Sequence, residues 1–481
     1  MNVPMLVDFQ PLLPDLVLLV GALWLLILDL LMPHGRKRLM AGGAIVTLLA
    51  AAAATWLYDP IGTVWGGAYL GTGLAVFLKR LFYVGGAVAV LGARTHVNEA
   101  YARRQGEYYL TMLFSILGMS LLTGARDLIL LVVAFELMSI PLYVLTAFPR
   151  DDKRATEGAV KLYLVGAASS ATLLFGLSLL FGLAHDTSIL AIATHVQAHP
   201  SPLALVGAAM VIGGLGFKIG IFPFHMWVPD AYEGGHTPFI VFLSALPKIA
   251  GFTVFIQLLL ARNGALATMA LAPLLVLSVT TLIAGNFLAL RQSNVKRLLA
   301  FSGVSHVGFL MLALLTRSEL GLGMLLFYGV GYVFTNMGAF LVVHAVKNGG
   351  GGDDSIASFD GLVRRNGWLA AAMLAFLLSL AGIPFMVGFW AKLFVFLAVW
   401  EAGFYGLVVF GASISVLALF YYLRVVRAMF MNPPANEAVI DVDPVTNTAI
   451  VLCLLAVVGI GLYPGPLYDA ARVAAVGFIG N

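Results

Sequence analysis

Apolar runs of about twenty residues, the length that crosses a bilayer, follow one another along this chain from near Pro11 to the stretch after Val445. Of 481 residues, 61% are hydrophobic and 10% charged, against roughly 45–50% and about 25% in soluble domains. A soluble enzyme is excluded, and the pattern predicts an all-α integral membrane protein. Spans starting near Pro11, Leu39, Ala75, Glu107, Asp127, Glu157, Pro202, Pro238, Leu266, Lys296, Leu320, Gly367, Phe404 and Val445 number about fourteen. The first, Pro11 to Met32, is too long for a signal-peptide core and no basic segment precedes it, so it is expected to be retained. Lys79 and Arg80 interrupt the start of the third.

Loop charge orients these spans. Arg36, Lys37 and Arg38, then Arg94, Arg103 and Arg104, then Arg150, Lys153 and Arg154, then Arg291, Lys296 and Arg297 all follow odd-numbered spans, as do Lys347, Arg364, Arg365, Arg424 and Arg427. The other side holds Arg126, Arg262, Arg317 and Arg472, with Lys79 and Arg80 at its interface. The positive-inside bias then places the basic loops in the cytoplasm and both termini outside. The same bias accounts for the net charge of +4; no basic amphipathic face for nucleic acid is present.

Proline interrupts two spans. Pro223 lies in GFKIGIFPFHMWVPDAYEGGHTP (Gly216 to Pro238) and Pro384 in SLAGIPFMVGFWAKLF (Ser379 to Phe394). Proline removes a backbone donor and clashes with the preceding turn, so both should break their helices, which membrane proteins tolerate around a wet or protein-lined cavity. These are the seventh and twelfth spans. An odd offset reverses orientation, so two inverted five-helix repeats are expected over spans 4–8 and 9–13. The single membrane domain 1–481 would then comprise N-terminal spans in 1–105, a first repeat in 106–262, a second in 263–430 and a last span in 431–481.

Four ionisable residues fall inside apolar spans: Glu136, Lys218, Lys248 and Lys392. Each mid-membrane charge costs about 2.5–3.5 kcal/mol to insert, and such a residue is a functional hypothesis by default. Glu136 and Lys218 could form a structural ion pair, but one carboxylate cannot neutralise three ammoniums. The remaining lysines must meet water or shed protons, and desolvated lysine can do so near neutral pH. His306 lies mid-span and can pass protons as a neutral imidazole. Asp230, Glu233 and His236, after the first break, are candidates for proton uptake. Lys161 is expected to snorkel, His225 and His344 to be core residues, and Asp15 and Asp29 to be capping or solvated.

Redox groups are expected elsewhere. Cys453 is the only cysteine, too few for an iron–sulfur cluster. No haem-attachment or phosphate-loop motif occurs, no metal site is expected, and Gly349–Gly352 reads as a flexible linker.

FPFHMWVPDAYEGGHTP followed by FLSALPKIAGF, together with SFDGL and SLAGIPFMVGFWAKLFVF, resembles the N subunits of bacterial NADH–quinone oxidoreductase (complex I), antiporter-like subunits of its membrane arm, over essentially the whole chain. The sister L and M subunits carry histidine where this chain has Lys248, and M has glutamate where this chain has Lys392. The chain also ends too early for the long lateral helix of L. The resemblance implies proton translocation coupled to NADH-to-quinone electron transfer, within a translocase whose NAD, FMN, iron–sulfur clusters and quinone belong to the complex rather than to this chain. It implies a bacterial inner-membrane location and neighbours such as the M and K subunits. It assigns proton-transfer roles to Glu136, Lys218, Lys248, His306 and Lys392. Two departures touch local packing: GGHTP stands where Gly-Ala-Pro-Thr-Pro is usual, and FSGVSH where Tyr-Ser-Ser-Ile-Ser-His is usual. The alternatives are a subunit of a multi-subunit sodium/proton antiporter of the same fold, and a structural membrane scaffold.

Reporter fusions after Arg38, Arg104, Arg154 and Arg365 are expected to read cytoplasmic, and fusions after Asp59 and Pro200 periplasmic. Reversal at two of these sites overturns the span assignment.

Overall fold

Polar residues at the head of apolar runs start the helices. Thr72, Asp127, Asp152, Ser201, Asn294, Ser318, Asn366 and Asp443 each accept a backbone N–H hydrogen bond there, satisfying donors that a first helical turn leaves free. The structure is a computed structural model describing residues 6–58, 60–149, 152–260, 265–434, 437–476 and 478. Asp59, Arg150 and Arg262, used above for charge and topology, lie outside the described residues.

The chain runs through α1 (Leu13–Leu31), α2 (Met40–Leu57), a hairpin of β1 (Gly62–Val64) and β2 (Tyr69–Gly71), then α3 (Gly73–Ala100), α4 (Gln105–Leu122), α5 (Leu128–Thr146), α6 (Lys153–Ala184) and α7 (Ile189–Ala198). There follow α8 (Pro202–Ile219), α9 (Trp227–Gly234), α10 (Thr237–Leu243), α11 (Leu246–Leu259), α12 (Ala265–Leu290), α13 (Val295–Leu315) and α14 (Glu319–Gly350). The remainder comprises α15 (Leu362–Arg365), α16 (Gly367–Ala381), α17 (Val387–Glu401), α18 (Tyr405–Met431), α19 (Pro444–Leu462) and α20 (Gly465–Ala475). Among the described residues, twelve helical stretches are long and apolar enough to cross a membrane, counting α10 with α11 as one. Neither α4 nor the pair α16 and α17 is among the twelve.

Burial separates a central group of helices from an outer ring. The membrane-crossing windows of α10–α11 and α13 are 100% buried and that of α14 is 94% buried, whereas those of α6 and α18 are 28% buried. Helices apolar on every side belong inside, so α11, α13 and α14 form the centre. Trp24, Leu30, Phe175 and Phe420 on the outer helices are exposed, as a lipid-facing surface requires.

Both expected breaks occur, but glycine rather than proline ends the helix. Gly220 (φ 78°) and Gly382 (φ 87°) take the left-handed conformation. In the first, the Gly220 N–H bonds the Phe217 carbonyl at 3.1 Å and the Ile221 N–H that of Gly216 at 2.9 Å. In the second, Gly382 bonds Ser379 and Ile383 bonds Leu378, both at 3.0 Å. These are two Schellman motifs, each followed by a proline that prevents the helix from resuming at once. A third break was not anticipated. The eighth span parts at Ser244 and Ala245 between α10 and α11. Pro247, which cannot donate the N–H that would continue the ladder, is the signal that marked it.

The third span is a complete helix, and Asp15, expected to cap or to be solvated, is instead enclosed with Lys79. Both are buried and form an ion pair on α3 and α1. The Ser120 hydroxyl donates to Asp15 at 2.5 Å and the Tyr83 hydroxyl pairs with Ser120 at 2.6 Å, while Lys79 also donates to the Pro11 carbonyl at 3.3 Å. Asp29 pairs with Lys37 at 2.9 Å. Breaking a buried pair from one side leaves an uncompensated charge, at a cost of about 3–5 kcal/mol. Lys79→Met is therefore expected to lower the unfolding temperature of the purified protein markedly, and Asp15→Leu combined with Lys79→Met to recover most of the loss. A double variant no better than the single one contradicts this.

Candidate functional site

The central helices, with α8 and α17 beside them, bring four of the five sequence-predicted ionisable residues into one line, with aromatic side chains between them. Lys218 closes the last turn of α8, and its ammonium donates to the Tyr143 hydroxyl at 3.4 Å. It also lies over the faces of Phe135 and Tyr143, at 5.2 and 5.0 Å. Glu136, also on α5, stands two turns from Tyr143 on the same helix face. No salt bridge joins Glu136 to Lys218, so a structural ion pair is not how this carboxylate is held.

Lys218 and Lys248 face a common cavity of 10 Å³, about the room one water needs. Beyond it the Lys248 ammonium donates to the Tyr332 hydroxyl at 3.2 Å, which donates onward to the Ser244 carbonyl at 3.0 Å. The break in the eighth span has therefore freed a carbonyl that the network uses. Gly303 makes the seat: a Cβ there would lie 2.5 Å from the Lys248 ammonium and 2.9 Å from the Tyr332 oxygen. The FSGVSH departure thus touches the ionisable set directly, contrary to expectation.

His306 on α13 continues the line. Its ring lies 5.3 Å from that of Tyr332, Nδ1 shares a 2.6 Å hydrogen bond with the Tyr328 hydroxyl, and Nε2 faces the Tyr422 hydroxyl at 3.4 Å. Tyr422 in turn shares a 2.5 Å bond with Ser302. Phe309, one turn along α13, separates His306 from Lys392, whose ammonium sits 5.1 Å from the Phe309 ring. Lys392 reaches back across the second break and donates to the Ala381 carbonyl at 2.9 Å, one of those left free where α16 ends. The break glycine gives it room, since a Cβ on Gly382 would be 2.9 Å from the lysine Cδ.

Helix ends give these lysines different fields. Lys218 lies in the last turn of α8, and the Lys392 ammonium lies at the C-terminal end of α16. Both positions carry the negative end of a helix dipole, which favours a cation. Lys248 lies in the first turn of α11, where the positive end disfavours one.

The proposed uptake group divides. Asp230 and Glu233 lie at the surface, both held by Arg297 at 2.9 and 2.7 Å, and Lys161 joins Asp230 at 3.2 Å. Burial would raise the Asp230 carboxyl, but hydrogen bonds from Arg297 and Lys161 outweigh it and hold the group below the ordinary carboxylate range. His236 points elsewhere, stacking on His96 at 5.6 Å. Lys296 is not a solvated loop charge either: it is buried, donating to the Gly235 carbonyl at 2.8 Å.

Sequence reasoning missed Tyr143, Tyr328, Tyr332 and Tyr422. A signal was present for two of them: Tyr328, Tyr332 and Asn336 recur every fourth residue along α14, a helix otherwise apolar through its middle.

The chain matches a transmembrane family described as "NADH:quinone oxidoreductase/Mrp antiporter, TM" over residues 125–418. It is 35% identical over 471 residues to NADH-quinone oxidoreductase subunit N 2 of Rhizobium meliloti, covering 96% of this chain and 97% of the relative. It is 37% identical over 459 residues to NADH-quinone oxidoreductase subunit N of Moorella thermoacetica, covering 95% and 96%. Among solved structures it is similar to a chain of respiratory complex I from Thermus thermophilus with bound aureothin, with 29% identity, TM-score 0.81, and coverage of 95% of this chain and 99% of that one. A chain of the Mrp complex from Dietzia sp. shares the fold at 20% identity, with TM-score 0.86 and 98% of both chains covered. With a family match across the bundle that carries the lysine line, and relatives of one name aligned nearly end to end, the chain belongs to the family of NADH-quinone oxidoreductase N subunits.

Proposed function

We propose that this chain is the proton-translocating, antiporter-like N subunit in the membrane arm of a respiratory NADH–quinone oxidoreductase. The observation that carries the reading is the line of ammoniums, imidazole and hydroxyls through the buried centre of the bundle. A scaffold has no use for such a line. Glu136 acts on Lys218 through space, its charge favouring the ammonium. When that influence weakens, Lys218 gives a proton to neutral Lys248 through the small shared cavity. Once Lys218 regains a proton, two ammoniums share one cavity and repel each other, so Lys248 passes its proton on by way of Tyr332 to His306. Hydrated passage around Phe309 then reaches Lys392 and the outside. The breaks at Pro223 and Pro384 open the helices where the first and last lysines stand. The inverted repeats 106–262 and 263–430, and the fourteen-span count with both termini periplasmic, belong to the same reading.

The chain itself carries no redox step. NAD, FMN, iron–sulfur clusters and quinone belong to partner subunits, with the M and K subunits as membrane-arm neighbours in a bacterial inner membrane. The shared Mrp-like fold leaves a sodium/proton antiporter subunit as the competing function. Sodium-independent pumping by the purified complex distinguishes the two, and an absolute sodium requirement favours the competitor.

Replacing Lys218 with Met should leave the complex assembled, because the ammonium is bordered by the Phe135 and Tyr143 rings and an apolar side chain suits that site. Proton pumping coupled to quinone reduction should fall at least severalfold. Lys218→Arg should not restore it, because guanidinium stays charged and cannot hand a proton on. Normal pumping by Lys218→Arg in proteoliposomes would show that a fixed charge suffices.

A further inference from the structure

One face of α6 changes character along its length. Arg154, Glu157 and Lys161 are followed, always at three- or four-residue steps, by Val165, Ala168 and Thr172, so the six form a single stripe five turns long. The charged part borders a pocket of 180 Å³ whose opposite wall is Asp230 and Glu233 of α9. The apolar part borders a groove of 520 Å³ against Val206, Ala209 and Gly213 of α8. Val165, Val206 and Phe224 in that groove are exposed, at a depth where only lipid or another membrane segment can cover them.

The groove offers no polar handle. The Ser169 hydroxyl donates to the Gly214 carbonyl at 2.6 Å and the Thr172 hydroxyl to the Ala168 carbonyl at 2.8 Å, so both donors in its wall are used within the bundle. A neighbouring helix would be denied the hydrogen bonds that help join helices in hydrocarbon, whereas an alkyl chain needs none. From Lys161 to Thr172 the stripe runs about 16 Å at 1.5 Å per residue, close to the roughly 15 Å of hydrocarbon in one leaflet.

The polar end carries both signs of charge. Lys161 is held by Glu157 at 2.8 Å and Asp230 at 3.2 Å, while Arg297 holds Asp230 and Glu233. The Arg154 guanidinium forms no ion pair with any described residue, which leaves it available to a phosphate, an anion its planar fork suits. Three carboxylates, Glu157, Asp230 and Glu233, face two cations, Arg154 and Lys161, around the pocket. Such a wall repels a headgroup of net negative charge and suits one that brings its own ammonium.

We propose that this face of α6 binds one bilayer phospholipid with a phosphoethanolamine headgroup, its phosphate on Arg154, its ammonium toward Glu157 and Glu233, and one acyl chain in the groove between α6 and α8. The acyl chain lies against Phe217 and Phe224, which flank the first helix break, and so covers the outer side of the wall behind Lys218. The proposal is independent of the proton-transfer reading, because it concerns the lipid-facing surface alone.

Labelling with lipid probes tests it. The intact complex is reconstituted into vesicles of phosphatidylethanolamine and phosphatidylglycerol carrying a trace of either lipid with a photoactivatable acyl chain, and cross-linked peptides are mapped. The phosphatidylethanolamine probe is expected to label α6 and α8 along the groove, and the phosphatidylglycerol probe to label it severalfold less. Gly213→Leu should fill the groove without disturbing the helices, since a Cβ there meets only Phe224 Cζ at 3.6 Å. Ala209→Phe fills it from an exposed position and serves if the glycine variant fails to assemble. Each should lower labelling in the groove severalfold and leave labelling elsewhere on the chain unchanged, and Arg154→Gln should narrow the difference between the two probes. Equal labelling by both probes in the unsubstituted complex overturns the headgroup assignment, and labelling unchanged in the filled variants overturns the groove. An unlabelled groove overturns the whole proposal, as does a benzophenone side chain at Ala168 that captures another subunit instead of lipid.

Discussion

An ammonium in hydrocarbon costs about 2.5–3.5 kcal/mol even on insertion scales, and Lys218, Lys248 and Lys392 lie too far inside the bundle to snorkel. Each is 6% exposed or less, and each is met by an acceptor and an aromatic face: Tyr143, Tyr332, and the Ala381 carbonyl beneath Phe309. Much of the central architecture follows from providing those acceptors. Backbone carbonyls become free only where a helix ends: the break at Gly382 gives Lys392 the Ala381 carbonyl, and the break at Ser244 gives the carbonyl that holds Tyr332, the acceptor for Lys248. Space for an ammonium against a neighbouring helix exists only where a side chain is missing, hence Gly303 and Gly382.

The same breaks impose an electrical pattern. The outer two lysines stand at the C-terminal ends of half-helices and the central one at an N-terminus, so the dipoles favour charge on Lys218 and Lys392 and disfavour it on Lys248. On the proposed reading, a proton arriving at Lys248 sits where the helix dipole disfavours it and is passed on. A row of sites alike in field would trap protons instead. On the same reading Glu136, held off from direct contact, shifts this balance without neutralising Lys218 outright. That is the arrangement a coupled machine requires, since a tight ion pair would have to be broken at each turnover.

How far the sequence spoke can be judged residue by residue. Membrane class, helical content, the two proline-marked breaks and the four mid-span charges were legible, because each depends on local composition or on a residue whose backbone chemistry is unambiguous. The break at Ser244 was less so, since Pro247 stands at a position where proline is equally at home in the first turn of a helix. Asp15 and Lys79 were misplaced because nothing in either segment reveals that they meet across 64 residues. Tyr143 and Tyr422 were invisible for a similar reason, since tyrosine is ordinary in a membrane helix until its hydroxyl is seen to lie beside a charged or polar partner, whereas Tyr328 and Tyr332 were marked only by their four-residue spacing along α14. Lys296 looked like any basic loop residue, though the fold buries it. His236 was noticed, but grouped with sequence neighbours that fold onto a different surface.

The central claim is that the line conducts protons rather than merely housing charges, and Tyr332 is where that claim is most exposed. Its hydroxyl alone joins Lys248 to the Ser244 carbonyl, and its ring meets His306. Tyr332→Phe keeps the ring and its packing and deletes only the oxygen. The decisive measurement is the number of protons translocated per NADH oxidised by the liposome-reconstituted complex carrying that substitution. The account predicts a lowered ratio with assembly intact; a ratio equal to that of the unsubstituted complex would contradict it.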